Sequence, residues 1–128
     1  MRNLEKYKGV IPAFYACYDK EGNISPEGVQ ALTKYFVEKG VKGVYVNGSS
    51  GECIYQSVED RKLILENVIK AAEGKLTVIT HVACNNTKDS KELARHAASL
   101  GVDAIAAIPP IYFHLPEYAI AQYWNDIS

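Results

Sequence analysis

The sequence has no long apolar run and no surplus of either charge. Its 14 Lys and Arg residues are balanced by 15 Asp and Glu residues, which gives a net charge of −1. Because basic residues are not in excess, we exclude nucleic acid and an anionic membrane surface as partners. No apolar stretch approaches the roughly 20 residues that span a bilayer, and the polar start Met1–Lys6 has no signal-peptide core. We therefore expect a cytoplasmic protein with no membrane association.

Cysteines are also scarce. Cys17, Cys53 and Cys84 are widely spaced, whereas zinc sites and redox motifs use close pairs. The three histidines, His81, His96 and His114, are not grouped with other ligands either. The sequence therefore favours free thiols, no metal and no cofactor.

What the sequence does contain is the material for a folded α/β domain. Hydrophobic residues make up 48% of the 128 residues and charged residues 23%, as in globular proteins. Short β-branched runs alternate with capped segments of helical periodicity, and four such βα units fit the chain. The predicted strands are 9–16, 43–46, 77–83 and 104–108. The predicted helices run from the Ser25 cap to Gly40, from a Ser57/Asp60 capping box to Gly74, from a Thr87 cap to Gly101, and from Pro116 to Ile127.

Strands separated by helices run parallel, so their carboxyl ends share one face, where α/β proteins bind ligands. The loops predicted on this face are 17–24, 47–56, 84–86 and 109–115. A complete eight-unit barrel needs about 250 residues. The 128 residues are therefore a single domain that is too short to form such a barrel.

The turn Gly48-Ser49-Ser50-Gly51-Glu52 follows the second predicted strand and is the strongest candidate for a binding site. It offers two hydroxyl groups and several unhindered backbone N–H groups, which suit a small carboxylate. A P-loop for a nucleotide triphosphate has a lysine after its last glycine, where this turn has Glu52. The alternative is an ordinary Gly/Ser turn without a ligand.

Tyr112 follows the fourth predicted strand on the same face, where a phenol can relay a proton, although with nine tyrosines it can also be a packed aromatic. His81 lies within a strand, and we interpret it as a structural residue. A nucleophile pair of His81 and Cys84 is disfavoured because their spacing in a strand places them on opposite faces. The lysines lie on helices, on the far face or on exposed loops, so none is a candidate for Schiff-base chemistry.

The segment Tyr45–Glu52 resembles the G-[ST]-[ST]-G-E turn of the pyruvate-dependent class I aldolases, the family typified by N-acetylneuraminate lyase and dihydrodipicolinate synthase. Ser49 and the pair His81-Val82 are more similar to the lyase branch. Further similarities run along the whole chain, at Gly9-Val10, Asp19, Asp60-Arg61, Thr80-His81-Val82 and Pro110-Ile111-Tyr112.

The resemblance implies a (β/α)8 TIM barrel, of which residues 1–128 are the N-terminal half, with about the first four βα units. It implies that Ser49 and Ser50, with Gly48 and Gly51, bind the carboxylate of pyruvate or of a sialic acid. It also implies that Tyr112 and Ser49 are catalytic, as a hydroxyl relay that reaches across a subunit interface. The family forms tetramers and needs no cofactor, because its Schiff base forms on a lysine.

The sequence also departs from the family pattern. Pro109 stands where the family often has threonine, and Phe113 where it has a second tyrosine. The family's Schiff-base lysine lies on strand six and a partner tyrosine on strand five, beyond these four units, so we expect the 128 residues alone to be inactive. Two alternatives stay open: dihydrodipicolinate synthase or another pyruvate aldolase, and a non-enzymatic module that associates through unpaired strand edges.

Overall fold

The computed structural model describes residues 3–128. Its centre is a parallel sheet of three strands in the order β1-β2-β3, with Gly43 opposite Thr77 and Ile79 opposite Ala104. The strands are β1 (Gly43–Val46), β2 (Thr77–His81) and β3 (Ala104–Ala106), and the helices are α1 (Pro26–Glu38), α2 (Val58–Ala72), α3 (Thr87–Ser99) and α4 (Glu117–Ile127). Short 3₁₀ turns lie at Glu5–Tyr7, Ser49–Gly51 and Cys53–Tyr55. The predicted parallel α/β arrangement is confirmed.

Each of the first three helices begins at a side-chain cap, because the first N–H groups of a helix have no partner within it. Ser25 accepts a hydrogen bond from Gly28 N, and Ser57 forms the predicted reciprocal capping box with Asp60. The prediction that Thr87 caps the third helix is wrong. Asn86 is the cap, because its Oδ1 accepts from Asp89 N at 2.8 Å, and Thr87 is the first helical residue.

The predicted first strand, 9–16, is the largest departure. It runs beside β1 but forms only one isolated bridge, between Ala13 and Tyr45. Phe14 N donates to Tyr45 O, and Tyr45 N donates to the carbonyl of Pro12. Pro12 has no N–H to give to a ladder, so regular pairing does not continue along this segment.

β2 and β3 also end earlier than predicted, at His81 instead of residue 83 and at Ala106 instead of residue 108. The guanidinium of Arg61 takes the carbonyls of His81 and Ala83, which are then lost to strand pairing. Ile108 N donates to the His81 ring instead of to a neighbouring strand, and prolines follow.

The core lies between the helices and the sheet. The helices pack against one another in chain order, α1 on α2, α2 on α3 and α3 on α4. Val44, Val46 and Val78 of the sheet are buried against Val29 of α1 and Val68 of α2. This is the layering of successive βα units, with the helices outside the sheet.

The amino ends of the strands are held by the segment before the first predicted strand. Lys6 forms an ion pair of 2.7 Å with Asp103, and Thr77 Oγ1 donates to Lys6 O at 2.8 Å. Asp103 also accepts from Val78 N at 2.9 Å. These contacts fasten the end of the sheet opposite the predicted ligand face.

Among residues 3–128, none of the helices is both long enough and apolar enough to traverse a bilayer.

Candidate functional site

Three of the four loops predicted on the ligand face meet around a cleft of about 550 Å³ at the carboxyl end of the sheet. The cleft lies between the loop after β1, the start of α2 and the segments that follow β2 and β3. Its lining consists of Ser49, residues 52–58, Arg61, His81, residues 83–85, Asp89 and residues 108–111. The first predicted loop, 17–24, reaches this region through Tyr18, whose hydroxyl donates to Glu52 at 2.7 Å. That bond to a carboxylate raises the pKa of Tyr18.

The candidate carboxylate turn is a single 3₁₀ turn over Ser49–Gly51. Its hydrogen bonds use the N–H groups of Gly51 and Glu52, which donate to Gly48 O at 3.0 Å and to Ser49 O at 2.9 Å. Within the described chain, the N–H groups of Ser49 and Ser50 take no part in these bonds, and both serine side chains are exposed. The turn therefore offers two adjacent hydroxyls and two adjacent N–H groups to an anion.

The two glycines of the turn are needed for close packing. A Cβ at Gly48 would lie 2.6 Å from the Tyr45 ring, and a Cβ at Gly51 would lie 2.9 Å from the carbonyl oxygen of Phe14. The left-handed backbone of this turn falls instead on its two flanking residues, Asn47 with φ 59° and Glu52 with φ 57°. Gly48 and Gly51 therefore give the turn its shape, and the N–H of Gly51 is used inside it.

A buried polar network lies directly beneath the turn. Arg61 is only 3% exposed, and its guanidinium donates to Ala83 O at 2.8 Å and to His81 O at 2.7 Å. The same group approaches Cys84 Sγ at 3.3 Å. On the other side, the carbonyl of Arg61 accepts from Asn47 Nδ2 at 2.9 Å. Arg61 thus connects the residue that enters the turn to the end of β2.

His81 is buried beside this guanidinium. Burial, and then the positive charge of Arg61, lowers the pKa of His81 from 6.5 to about 4, so the ring is neutral at pH 7. Its Nε2 accepts from Ile108 N at 3.3 Å. This contact between β2 and the segment after β3 agrees with the structural interpretation of His81.

Cys84 is not set up as a nucleophile by its surroundings. Burial raises the pKa of the Cys84 thiol, although the Arg61 charge opposes the shift, and the Cys84 N–H donates to Ser90 Oγ at 2.8 Å. The three cysteines carry free thiols. In the part of the chain that the structure describes, no three His, Cys, Asp or Glu residues are grouped as a metal site would require.

Tyr112 lies outside the cleft. Its ring is 81% exposed and stacks edge-to-face on Phe113, with the ring centroids 4.8 Å apart. Ile111, the residue before it, is held by a bond of 2.9 Å from its N–H to Asn85 Oδ1. Of the predicted site residues only Ser49 lines the cleft, and within one chain Ser49 and Tyr112 are not hydrogen-bonded.

The lysines give no candidate for Schiff-base formation. Among residues 3–128 no lysine is buried, and the two nearest the ligand face, Lys20 in the 17–24 loop and Lys88 in the first turn of α3, are exposed. Lys62 is partly covered, but its hydrogen bonds to Glu92 and Glu59 raise its pKa. An amine nucleophile needs the opposite shift.

Comparison with known proteins assigns the chain to a family. Residues 6–128 match the model of the dihydrodipicolinate synthetase family. The chain belongs to this family. The chain is 91% identical over its whole length to an N-acetylneuraminate lyase of Mediterraneibacter gnavus, of which it covers 41%. It is 36% identical to an N-acetylneuraminate lyase of Rhizobium meliloti, over 96% of this chain and 41% of that protein.

Solved structures of family members have the same fold. The wild-type sialic acid aldolase of Ruminococcus gnavus matches with a TM-score of 0.95 over 96% of this chain and 41% of that one, at 91% identity. A dihydrodipicolinate synthase matches with a TM-score of 0.86 at 27% identity, over 94% of this chain and 41% of that one. The predicted TIM-barrel class is confirmed. The chain spans about two fifths of the length of the relatives it matches, somewhat less than the predicted half.

Sequence reasoning missed Asn47 and Arg61 as parts of the site. Asp60-Arg61 was noticed only as a family similarity, and no spacing rule shows that a guanidinium on α2 reaches carbonyls beyond β2. Of these two residues, only Asn47 could have been found from the sequence, since an asparagine directly before a glycine turn commonly has a left-handed backbone.

Proposed function

We propose that this chain supplies the carboxylate-binding part of an N-acetylneuraminate lyase, which cleaves N-acetylneuraminate to N-acetylmannosamine and pyruvate. The observation that carries the proposal is the 91% identity, over all 128 residues, to a lyase of this name. The 27% identity to the dihydrodipicolinate synthase favours the lyase over the synthase.

In this proposal Ser49 and Ser50 bind the carboxylate of the substrate through their hydroxyl and N–H groups. Two adjacent donors suit the two oxygens of a carboxylate, and binding there fixes the ketone carbon relative to the turn. Gly48 and Gly51 allow the turn to pack against Tyr45 and the Phe14 carbonyl.

The covalent step needs a lysine amine in the site, and none of the lysines in these 128 residues is a candidate for it. A lysine amine condenses with the substrate ketone and releases water, and the protonated imine accepts the electron pair when the carbon–carbon bond breaks. The resemblance assigns this lysine to strand six of the barrel. We propose that the first four units bind and orient the substrate, and that they are inactive without the later strands.

Ser49 and Tyr112 are proposed to move protons in this reaction. The Tyr112 hydroxyl has no hydrogen-bond partner among residues 3–128, and its ring is largely exposed. This leaves it free to reach a neighbouring subunit, as the resemblance implies for a homotetramer.

The free thiols are in keeping with a cytoplasmic location.

Borohydride trapping with pyruvate, followed by intact mass, tests the proposal. It is run on the 128-residue chain and on an extended chain, in which these residues are followed by the rest of the Mediterraneibacter gnavus relative. We expect a reduced pyruvate adduct on the extended chain alone. An extended chain that folds but forms no adduct would refute the aldolase assignment.

Two further experiments test carboxylate binding by the serines and distinguish the lyase from the synthase. Ser49→Ala and Ser50→Ala should each raise the pyruvate concentration for half-maximal trapping about tenfold, the loss of one good hydrogen bond to a charged group. Ser99→Ala, an exposed serine on α3, is the matched control and should leave it unchanged. Turnover of N-acetylneuraminate supports the lyase, whereas turnover only of aspartate semialdehyde with pyruvate favours the synthase.

A further inference from the structure

Asn47 and Arg61 lie under the carboxylate turn, and neither has a role in the function proposed above. We infer that they act together as positioning residues, which hold the Ser49–Ser50 turn in a fixed orientation relative to the carboxyl end of β2. This inference rests on the proposed function of that turn. It is carried by two sets of hydrogen bonds that meet at Arg61.

The first set fixes the entry to the turn. Asn47 has φ 59°, a left-handed backbone that asparagine adopts more readily than most residues, and it is only 3% exposed. Its Nδ2 donates to Arg61 O at 2.9 Å, while its buried Oδ1 has no partner among residues 3–128. An unpaired buried oxygen is costly, so this orientation of the Asn47 side chain depends on the one bond that its amide makes, the bond to α2.

The second set fixes α2 to the sheet. The two terminal nitrogens of the Arg61 guanidinium donate to the carbonyls of His81 and Ala83. Within the described part of the chain this buried cation has no carboxylate partner, and its hydrogen bonds go to the two backbone carbonyls and to Cys84 Sγ. A planar fork that spans two carbonyls is a geometry that lysine cannot reproduce.

Together the two sets form a chain of contacts from the turn to the neighbouring strand. Asn47 connects the turn to α2, and the Arg61 side chain connects α2 to the last residue of β2 and the loop beyond it. A carboxylate held by Ser49 and Ser50 has its ketone carbon placed by the orientation of that turn. Small errors in such placement reduce reactivity strongly, so a rigid support is of direct use to the proposed reaction.

The test uses Asn47→Gly, Arg61→Met, Arg61→Lys and the double variant of the first two, all in the extended chain. Asn47→Gly keeps the left-handed backbone accessible and removes the amide bond together with the rest of the buried side chain. Hydrogen exchange of peptides covering 47–52 reports the order of the turn. Trapping with pyruvate reports the half-saturating concentration separately from the maximal extent.

Asn47→Gly, which removes one hydrogen bond, and Arg61→Met, which removes two bonds to backbone carbonyls, should each speed exchange in 47–52 and raise the half-saturating pyruvate concentration about tenfold or more, with a smaller change in maximal trapping. Arg61→Lys should fall between Arg61→Met and the unsubstituted chain, because its ammonium can donate to one of the two carbonyls but cannot span both as the guanidinium does. Because the two residues act through one path, the double variant should be no worse than the more affected single variant.

Thr33→Val is the matched control for general destabilisation. Thr33 is fully buried in α1 and donates to Val29 O at 2.8 Å, away from the turn. If Thr33→Val speeds exchange in 47–52 as much as Asn47→Gly does, or if the effects of Asn47→Gly and Arg61→Met multiply, the inference is overturned. If the unsubstituted extended chain traps no pyruvate, the proposed function fails, and the exchange data alone still decide whether Asn47 and Arg61 position the turn.

Discussion

His81 and Arg61 are buried side by side at the end of β2, and a second positive charge there is unfavourable. Burial and the Arg61 charge lower the pKa of His81 to about 4, whereas in the unfolded chain it is near 6.5. Between these two pKa values His81 is protonated in the unfolded chain but stays neutral in the folded chain. The free energy of unfolding therefore falls as the pH decreases from about 6.5 to about 4, and below that the loss from this residue is complete.

We predict that His81→Gln flattens this part of the pH profile. The contribution of His81 is at most about 3 kcal/mol between pH 7 and pH 4, since the pKa falls from 6.5 to about 4. Urea unfolding at a series of pH values measures it. His114→Gln is the control and should keep the original slope, because the His81 titration is intact. An unchanged slope in His81→Gln would show that other groups cause the acid loss.

Single residues of the site were partly predictable from sequence. Ser49 and Ser50 could be proposed from the sequence because their residue types and their place in the turn are themselves the signal, and their role stays a prediction. The glycines were identified for N–H access, but the structure shows that they avoid clashes with Tyr45 and Phe14. The packing of the glycines and the hydrogen bonds from Arg61 to the end of β2 both depend on tertiary structure. Neither can be predicted from the spacing of residues along the chain.

At the scale of elements, helices were predicted better than strands. A helix start depends on a cap and a residue three positions on, so the capping box of Ser57 and Asp60 could be identified directly. Strand ends depend on which distant groups take the backbone carbonyls and N–H groups. β2 and β3 were predicted too long because Arg61 and the His81 ring compete for those groups.

We predict that Ser57→Ala lowers the free energy of unfolding by about 1 kcal/mol, because the Asp60 N–H at the start of α2 loses its acceptor. Urea unfolding with an unchanged slope measures it. Ser99→Ala should change stability by less than about 0.5 kcal/mol, as an exposed substitution does. Equal effects of the two substitutions would mean that the cap does not stabilise α2.

At the scale of the whole molecule, the open edge of the sheet dominates. β3 is hydrogen-bonded to β2 on one side only, and within residues 3–128 no strand covers its other side. Apolar side chains near this edge are exposed, with Ile105 at 37% and Trp124 at 45%. Unpaired strand edges of this kind promote association between chains.

We predict that the 128-residue chain self-associates in a concentration-dependent way and that Ile105→Lys reduces it, because a charge on an edge strand opposes pairing. Sedimentation velocity over a range of concentrations measures the change. Ile54→Lys is the control, since Ile54 is also exposed but lies in the 3₁₀ turn Cys53–Tyr55 and not on the edge strand. A purely monomeric chain, or equal effects of both substitutions, would contradict this and weaken the binding-module alternative.

The ion pair between Lys6 and Asp103 also limits how early this part of the protein can finish folding during synthesis. The two residues are 97 positions apart in the chain, so the clamp cannot close until the start of β3 has left the ribosome. At ordinary translation rates this takes roughly 5 to 20 seconds after Lys6 is made. Throughout that interval Lys6 lacks its ion-pair partner and Val78 N lacks its Asp103 acceptor, so the amino end of β2 is less protected from chaperones and from other nascent chains.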